Sequence, residues 1–420
     1  MKTDHIVLSL DPMYSPLHEK IAGILGKKRY AVTSCLSKKI YLPTFKQFLA
    51  VNMIAAVSKE QAQPYQEKIS LLRTYHHAYV QKVEDRTLCN DELNYMARFY
   101  VALKEFVIEK DINLVLLHND ARWYHAVAID ICKELGINYL VTEQGLIRPF
   151  TTVIDPQGVN ANSKIDFKIF SNEVQHTPKE QGSFIPKDTH DSIKSMFFFF
   201  IFLLGFAFER INKNRTVIRY MHNSYSLKKY FKRIANKLIK RKKGTLVPSL
   251  SSHGSILLLL QLENDSQFLL HSPFKSNQEV INLVAGLAKS AKVKLAIKRH
   301  PLDDKEYQLD DNTYYVNGKI AELADSAEFV FTINSSASID VLKTAAPLIL
   351  MGESIYAHKG VAVEFDFHHP YQQMTQARAE VDFVARQRFI NYLHNEYLVQ
   401  GAGYSFCSQH LRRKLEQILD

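Results

Sequence analysis

Four stretches of this chain place side chains that hold or move charge directly after short apolar runs. The first is Thr142-Glu143-Gln144-Gly145-Leu146-Ile147-Arg148-Pro149, followed by Thr152, Asp155 and Gly158-Val159-Asn160. A carboxylate at the end of a buried strand, with glycine and arginine behind it, suits a catalytic loop. Glycine lets the backbone turn tightly, and arginine grips a substrate carboxylate through two parallel hydrogen bonds. A structural ion pair between Glu143 and Arg148 is the competing reading, on equal terms. The second stretch is Gln261-Leu262-Glu263-Asn264-Asp265-Ser266-Gln267, continuing to His271-Ser272-Pro273-Phe274. Where water is partly excluded, a carboxylate such as Asp265 serves as nucleophile or base. The same Asn264-Asp265-Ser266 is also good chemistry for starting a helix.

The third stretch is Lys298-Arg299-His300-Pro301. Three potential cations at a strand end make a phosphate site, and Pro301 sets the turn. The fourth is Thr332-Ile333-Asn334-Ser335-Ser336-Ala337-Ser338. Hydroxyls and free backbone N–H groups at a helix start attract an anion; a plain serine cap is the bland reading. On neighbouring strands of one sheet, the third and fourth stretches would together hold a sugar-nucleotide phosphate. Several templates are absent: a GxGxxG after the first strand, a GxxxxGK[ST], an HExxH, and a flanked DxD pair. Asp303-Asp304 and Asp310-Asp311 read as solvated loop charges. No metal site and no cofactor is expected.

The elements that must position these residues alternate in type. HIVLSL (5–10) reads as a strand, then a helix runs from about Ser15 to Gly26, and RYAVTSCL is another strand. A long helical stretch covers roughly 44–110. INLVLLHND, WYHAVAIDICKELG and NYLVTEQG follow as strand, helix and strand. The second half repeats this grammar from SILLLLQLENDS to PLILMG. Apolar strands alternating with helices imply parallel sheets covered on both faces. The expected class is α/β, with two Rossmann-like domains whose parallel sheets face a central cleft. Ligands of such sheets bind outside the carboxyl ends of the strands, where the four stretches lie.

A length of 420 residues exceeds what one hydrophobic core usually serves, and 46% apolar with 23% charged residues is ordinary for a globular protein. The four cysteines, Cys35, Cys89, Cys132 and Cys407, are scattered without a CxxC, which argues for a reducing compartment. The opening MKTDHIVLSLDPMYS lacks a secretory pattern, so cytoplasmic residence is expected. The net charge of +10 is local in origin, because Arg210 to Lys243 contains thirteen Lys or Arg and no Asp or Glu.

That basic segment follows Met196–Phe208, MFFFFIFLLGFAF, which is apolar throughout. Thirteen helical residues span about 20 Å, short of the roughly 30 Å hydrocarbon core. A membrane-surface anchor fits better, with Lys228, Lys229, Lys232, Arg233, Lys237, Lys240 and Arg241–Lys243 meeting anionic headgroups. A buried helix followed by a solvated basic helix is the bland alternative. Tyr220, Tyr225, Tyr230 and Phe231 interleave with the charges as RNA-stacking residues would. No RNA-binding fingerprint accompanies them, and no nucleic-acid partner is expected.

Taken in order, the stretches resemble the bacterial capsule β-Kdo transferase family of KpsS and LipB type, Kdo being an acidic eight-carbon sugar. The resemblance rests on EQGLIRP with TTVIDPQGVNANS, LQLENDSQFLLHSPF, IKRHPLD, TINSSASIDVLKTAAPLILMGESIYAHKG and INYLHNEYLVQGAGYS. It covers about 140–365 and 385–410. It implies a GT-B-like fold with the acceptor side in residues 1–190 and the CMP-sugar domain in 249–385. Between them lies the apolar and basic segment 191–248, and 386–420 forms closing helices that pack back on the first domain. It further implies CMP-β-Kdo as donor, retention of configuration, and a phosphatidylglycerol-type or Kdo-primed lipid acceptor. The setting would be the cytoplasmic face of the inner membrane, beside other capsule biosynthesis and export proteins.

Carried over residue by residue, the resemblance makes Asp265 the nucleophile and Glu143 the acid/base, with their roles interchangeable. Lys298 and His300, turned by Pro301, would hold the departing CMP phosphate. Ser335 and Ser336 would assist, with Gln261 and Asn334 on the donor side, and Arg148 would bind the Kdo carboxylate. Asn119, Asp120, Arg122 and Asp155 are acceptor-side candidates. The first strand departs from the family pattern by running into Leu10-Asp11-Pro12 instead of a glycine-containing loop. A different CMP-sugar, such as sialic acid, and a non-catalytic scaffold of capsule assembly are the alternatives.

Overall fold

The computed structural model describes residues 4–12, 14–148, 150–163, 165, 189–211 and 254–419. The basic run after Arg210, its interleaved aromatics and Pro149 lie outside the described residues. In chain order the strands are β1 (His5–Leu10), β2 (Gly26–Thr33), β3 (Lys46–Leu49), β4 (Leu114–His118), β5 (Asn138–Gln144), β6 (Thr151–Asp155) and β7 (Ser255–Leu259). They continue as β8 (Lys294–Lys298), β9 (Thr313–Tyr315), β10 (Phe329–Thr332), β11 (Leu348–Leu350), β12 (Val363–Glu364), β13 (Leu398–Ala402) and β14 (Ser405–Phe406).

The chain divides into two compact units. The described part of the first comprises residues up to Val159, the helix Thr189–Ile211 and the chain from Tyr397 onward. Its sheet has the order β14-β13-β6-β5-β4-β1-β2-β3. The five strands from β3 to β5 are parallel, and β4 is buried along its whole length, as a strand covered on both faces must be. The expectation of a purely parallel sheet fails at one edge: β6 runs antiparallel to β5, β13 to β6 and β14 to β13. A six-residue loop suffices to reverse the chain from β5 to β6. Gly145 makes it possible, since a Cβ there would fall 2.4 Å from the Thr151 carbonyl carbon.

The closing segment is therefore not helical throughout. It supplies two strands before the helix Ser408–Leu419, whose Leu411 and Leu415 are buried against Leu17, Ile21 and Leu25. The long helical stretch expected over 44–110 is also broken up. It holds β3, five α-helices and a 3-10 turn at Gln63–Tyr65, and Asn90–Glu109 alone is long. Ser58 and Thr74 restart the chain by accepting hydrogen bonds from Gln61 and His77 amides, and a capping side chain competes with continuing the previous helix.

The second unit holds a six-stranded sheet in the order β9-β8-β7-β10-β11-β12, all parallel. Both sheets thus run outward from their first strand in one direction and restart from it in the other. This is the doubly wound arrangement, with switch points between β1 and β4 and between β7 and β10.

The helix Thr189–Ile211 resolves the two readings of the apolar run by dividing its faces. Phe202, Leu203 and Phe206 are buried with Cys35 and Tyr41, and Phe198 and Phe199 pack against that cluster. Ile193, Met196, Phe197, Phe200, Leu204, Phe208 and Ile211 stay exposed, with Phe197 at 58% and Phe208 at 73%. Glu209 ties the helix down by accepting hydrogen bonds from the amides of Leu36 (2.8 Å) and Ser37 (2.7 Å). No described helix is long and apolar enough to cross a membrane.

Candidate active site

Each switch point carries a polar cluster. In the first unit β4 ends at His118, and Asn119 takes φ +66 to turn the chain. This left-handed conformation suits asparagine better than most residues. Asn119 Nδ2 donates to Glu143 Oε2 at 2.6 Å, and its Oδ1 accepts from the Ala121 amide at 2.8 Å. Glu143 Oε1 accepts from the Gln144 amide at 2.9 Å and lies 3.7 Å from His118 Nε2. Burial raises the Glu143 pKa above its ordinary value, against the pull of Asn119, the Gln144 amide and the Arg122 charge. A carboxyl pushed up in this way takes a proton more readily than an ordinary glutamate, as a general base must.

Arg122 is buried, donates to Tyr124 Oη at 3.2 Å, and lies within electrostatic reach of both Glu143 and Asp11. The expected pairing partner, Arg148, is exposed on the loop after β5, so the cation nearest in effect to Glu143 is Arg122. Asp120 and Asp155 brace a turn. Asp120 Oδ2 accepts from the Val159 amide at 2.9 Å, and Asp155 Oδ1 from the Gln157 amide at 2.7 Å. Asp155 Oδ2 also accepts from Tyr397 Oη at 2.9 Å, linking β6 to the returning chain.

Three histidines lie beneath this cluster. Ser9 Oγ is 2.7 Å from His18 Nδ1, Thr142 Oγ1 is 3.3 Å from both His18 and His118, and His125 Nδ1 is 2.8 Å from the Asn119 carbonyl. Burial lowers His18 and His125 to about 3 and His118 well below the ordinary value. The unfolded chain takes up these protons near pH 6.5, whereas the folded chain resists them until about pH 3. Stability is therefore full above that window and falls as the pH drops through it, by roughly 1.4 kcal/mol per pH unit for each histidine. Urea midpoints measured from pH 7 to pH 4 should decline steeply, and His125→Gln should flatten the decline; a pH-independent midpoint would contradict this.

In the second unit Gln261 and Asn334 join the two strands of the switch point. Gln261 donates to Asn334 Oδ1 through Nε2 and accepts from the Asn334 amide through Oε1, both at 2.9 Å. Asn334 Nδ2 reaches the carbonyls of Gln267 and Glu353 at 3.1 Å. Asp265 is exposed and caps the helix Ser266–His271, its Oδ1 accepting from the Gln267 amide at 2.8 Å. The capping reading of Asn264-Asp265-Ser266 thus describes the bond made by Oδ1.

Lys298 Nζ donates to the Gly318 carbonyl at 2.8 Å, and burial lowers its pKa. His300 Nδ1 accepts from the Leu302 amide at 3.2 Å across the turn made by Pro301. Arg299 departs from the three-cation expectation. It donates to the carbonyls of Asp303 (3.0 Å) and Lys305 (2.5 Å) and sits over the Tyr315 ring at 5.3 Å. Asp303 and Asp310 close turns through the Lys305 and Asn312 amides. Ser335 Oγ accepts from the Ala337 amide at 3.2 Å, and the helix behind it, Ser338–Leu342, has only five residues. Strands β8 and β10 flank β7 and are not neighbours, so Lys298 and Asn334 start two strand spacings apart, about 10 Å.

Among the described residues no group of three or more His, Cys, Asp or Glu is placed to hold a metal ion. Residues that sequence reasoning missed are Asp11, His18, Lys38 and His125. The one available signal was Leu10-Asp11-Pro12 at a strand end.

The family described as capsule polysaccharide biosynthesis protein matches residues 113–404. The capsule polysaccharide export protein KpsS of Escherichia coli is 27% identical over 354 residues, covering 76% of this chain and 88% of that protein. The capsule polysaccharide modification protein LipB of Neisseria meningitidis serogroup A is 24% identical over 295 residues, covering 62% and 68%. Among solved structures, the Thermosulfurimonas dismutans KpsC beta Kdo 2,7 transferase aligns with TM-score 0.41 and 15% identity, over 99% of this chain and 100% of that one.

Proposed function

This chain belongs to the capsule polysaccharide biosynthesis family, and on that premise we propose that it is a retaining glycosyltransferase. It transfers Kdo from CMP-β-Kdo to a phosphatidylglycerol-type or Kdo-primed lipid, on the cytoplasmic face of the inner membrane. The observation that carries this reading is that the family match takes in the polar loops of both switch points, from Asn119 and Glu143 to Asp265, Lys298 and Asn334. The donor and the linkage come from the sequence motifs that resemble the β-Kdo transferases.

In this reading Asp265 attacks the anomeric carbon of Kdo, and CMP leaves with the bonding electrons. The acceptor hydroxyl then displaces the Asp265 carboxylate from that carbon while Glu143 takes the hydroxyl proton. Two inversions return the original configuration. Lys298 and His300, with Ser335 and Ser336, hold the CMP phosphate, and Gln261 and Asn334 shape the donor loops. Arg148 grips the Kdo carboxylate. Asn119 and Arg122 keep Glu143 in place, and Asp120 and Asp155 brace the turn beside it.

The purified protein should convert a fluorescent phosphatidylglycerol with CMP-Kdo, made in situ, into a product heavier by one or more Kdo units. Transfer of sialic acid instead would point to another CMP-sugar enzyme. No transfer from either donor would favour a scaffold, the role nearest to the name of the export-protein relative.

The exposed face of the helix Thr189–Ile211 supports the membrane setting. Changing Phe197, Phe200, Leu204 and Phe208 together to Ser removes four apolar side chains, each worth about 1–2 kcal/mol at an interface. Binding to anionic vesicles should weaken at least tenfold with the melting temperature unchanged. Equal changes at the inward Phe202 and Phe206 should lower the melting temperature instead. Unchanged vesicle binding by the outward variant would dismiss the anchor.

A further inference from the structure

Thr142, one residue before Glu143, is buried, and three groups converge on its hydroxyl. The hydroxyl donates its single proton to the Leu117 carbonyl at 3.0 Å. Its lone pairs then face His18 Nε2 and His118 Nδ1, each at 3.3 Å. A hydroxyl whose proton is already given can only accept, so both of these nitrogens carry a hydrogen. His18 agrees with that count. Its other nitrogen, Nδ1, lies 2.7 Å from Ser9 Oγ, which has a proton to donate.

A neutral imidazole has one N–H, and His118 is neutral. It is buried, and burial is what lowers its pKa most; Arg122, His18, His125 and Lys38 press in the same direction. With the hydrogen on Nδ1, Nε2 offers a lone pair, 3.7 Å from Glu143 Oε1. That separation is longer than a hydrogen bond. An Nε2–H beside a buried carboxylate would close to about 2.8 Å. Two acceptors side by side have no reason to close, and the observed gap is the one they keep.

The carboxyl is held in place for this encounter. Asn119 Nδ2 donates to Oε2 at 2.6 Å and the Gln144 amide to Oε1 at 2.9 Å. The charged side chains acting on Glu143 are Arg122 and Asp120, and they oppose one another. Ionised, Glu143 meets the His118 lone pair as a repulsion; protonated, it meets the same lone pair as a hydrogen-bond acceptor. Both effects favour the protonated carboxyl, so both strengthen Glu143 as a base.

We propose that His118 is a positioning residue that makes Glu143 a stronger base, its Nδ1–H bonded to Thr142 so that its Nε2 lone pair receives the hydrogen bond of the protonated carboxyl. The proton leaves the acceptor hydroxyl for Glu143 Oε1 and stays there, bridged to His118, which remains neutral throughout. The use of this pair as the base rests on the glycosyltransferase reading; the shared proton does not.

The ligand-free, full-length protein tests the shared proton. Its infrared carbonyl band from protonated Glu143, identified as the band that Glu143→Gln removes, is followed as the pH is raised until it disappears. His118→Asn keeps a donor for Thr142 and removes the lone pair facing Glu143, so the midpoint should fall by about one pH unit. His118→Gln can place an amide oxygen where Nε2 stood and should restore most of that shift. Thr142→Val releases His118 to carry its hydrogen on Nε2, and the midpoint should fall as in His118→Asn, whereas Thr142→Ser should leave it in place. Each pair stands alone if a variant of the other does not fold.

In transfer assays His118→Asn should move the acidic limb of the pH–rate profile down by the same amount and lower kcat about threefold to tenfold, with the donor KM unchanged. An unmoved midpoint in His118→Asn or in Thr142→Val overturns the proposal, as does a His118→Gln that shifts as far as His118→Asn. The shifted midpoints in a protein that transfers no sugar would keep the shared proton and sink the base role alone.

Discussion

Asp265→Asn is expected to lower sugar transfer by about 10⁴-fold or more while leaving the fold as stable as before. The two halves of this expectation come from different properties of the side chain, its hydrogen-bonding oxygen and its charge. Oδ1 accepts from the Gln267 amide and starts the helix Ser266–His271, work that asparagine does equally well. The nucleophilic role needs a negative charge, which asparagine lacks. Asp265→Ala loses both, so it should also be less stable by about 1 kcal/mol. Kinetics with CMP-Kdo and urea melts of the two variants separate the roles. Intact-mass spectrometry of the wild type, quenched after brief exposure to donor without acceptor, should detect a covalent Kdo adduct. Transfer by Asp265→Asn within tenfold of wild type would remove Asp265 from the chemistry.

Glu143→Gln is the second large effect, with an expected loss of about 10²–10⁴-fold in kcat. Its carboxyl is pushed up by burial, so its charged form is less comfortable in the folded chain than in the unfolded one. A raised carboxyl stabilises the fold at low pH and loses that contribution as the pH rises through its folded value. Glutamine carries no charge, so at pH 7.5 the variant should be at least as stable as the wild type while being far slower. Its pH–rate profile should lose the acidic limb that Glu143 sets, a change that a merely structural role would not produce. A variant that is slow but keeps that limb would assign the proton transfer elsewhere.

The strands of both sheets were legible from apolar runs alone. HIVLSL, LVLLH, SILLL and LIL each form a strand at the expected place, because a strand covered on both faces must be apolar throughout. The polar residues after them were legible as strand-end chemistry for the same reason, since a sheet's edge is where water returns. Less visible were β6, β13 and the breaks in residues 44–110. Thr151–Asp155 looks like a loop, and it becomes a strand between β5 on one side and Val399 with its neighbours, about 245 residues along the chain, on the other. Local periodicity carries no record of such a partner.

The amino-acid order by itself determined that this chain forms two doubly wound sheets and which side chains cluster at their strand ends. Burial of long apolar runs and the helical period are local properties, and both survive in any context. Tertiary structure alone decided the rest. It set Arg122 against Glu143 in place of Arg148, turned Arg299 inward, and brought His118 beside Glu143. It also chose which phenylalanines of the run at 197–200 face outward. A helix apolar on every side has no preferred face until something packs against it, and a charged side chain has no partner until the fold brings one within a few ångströms.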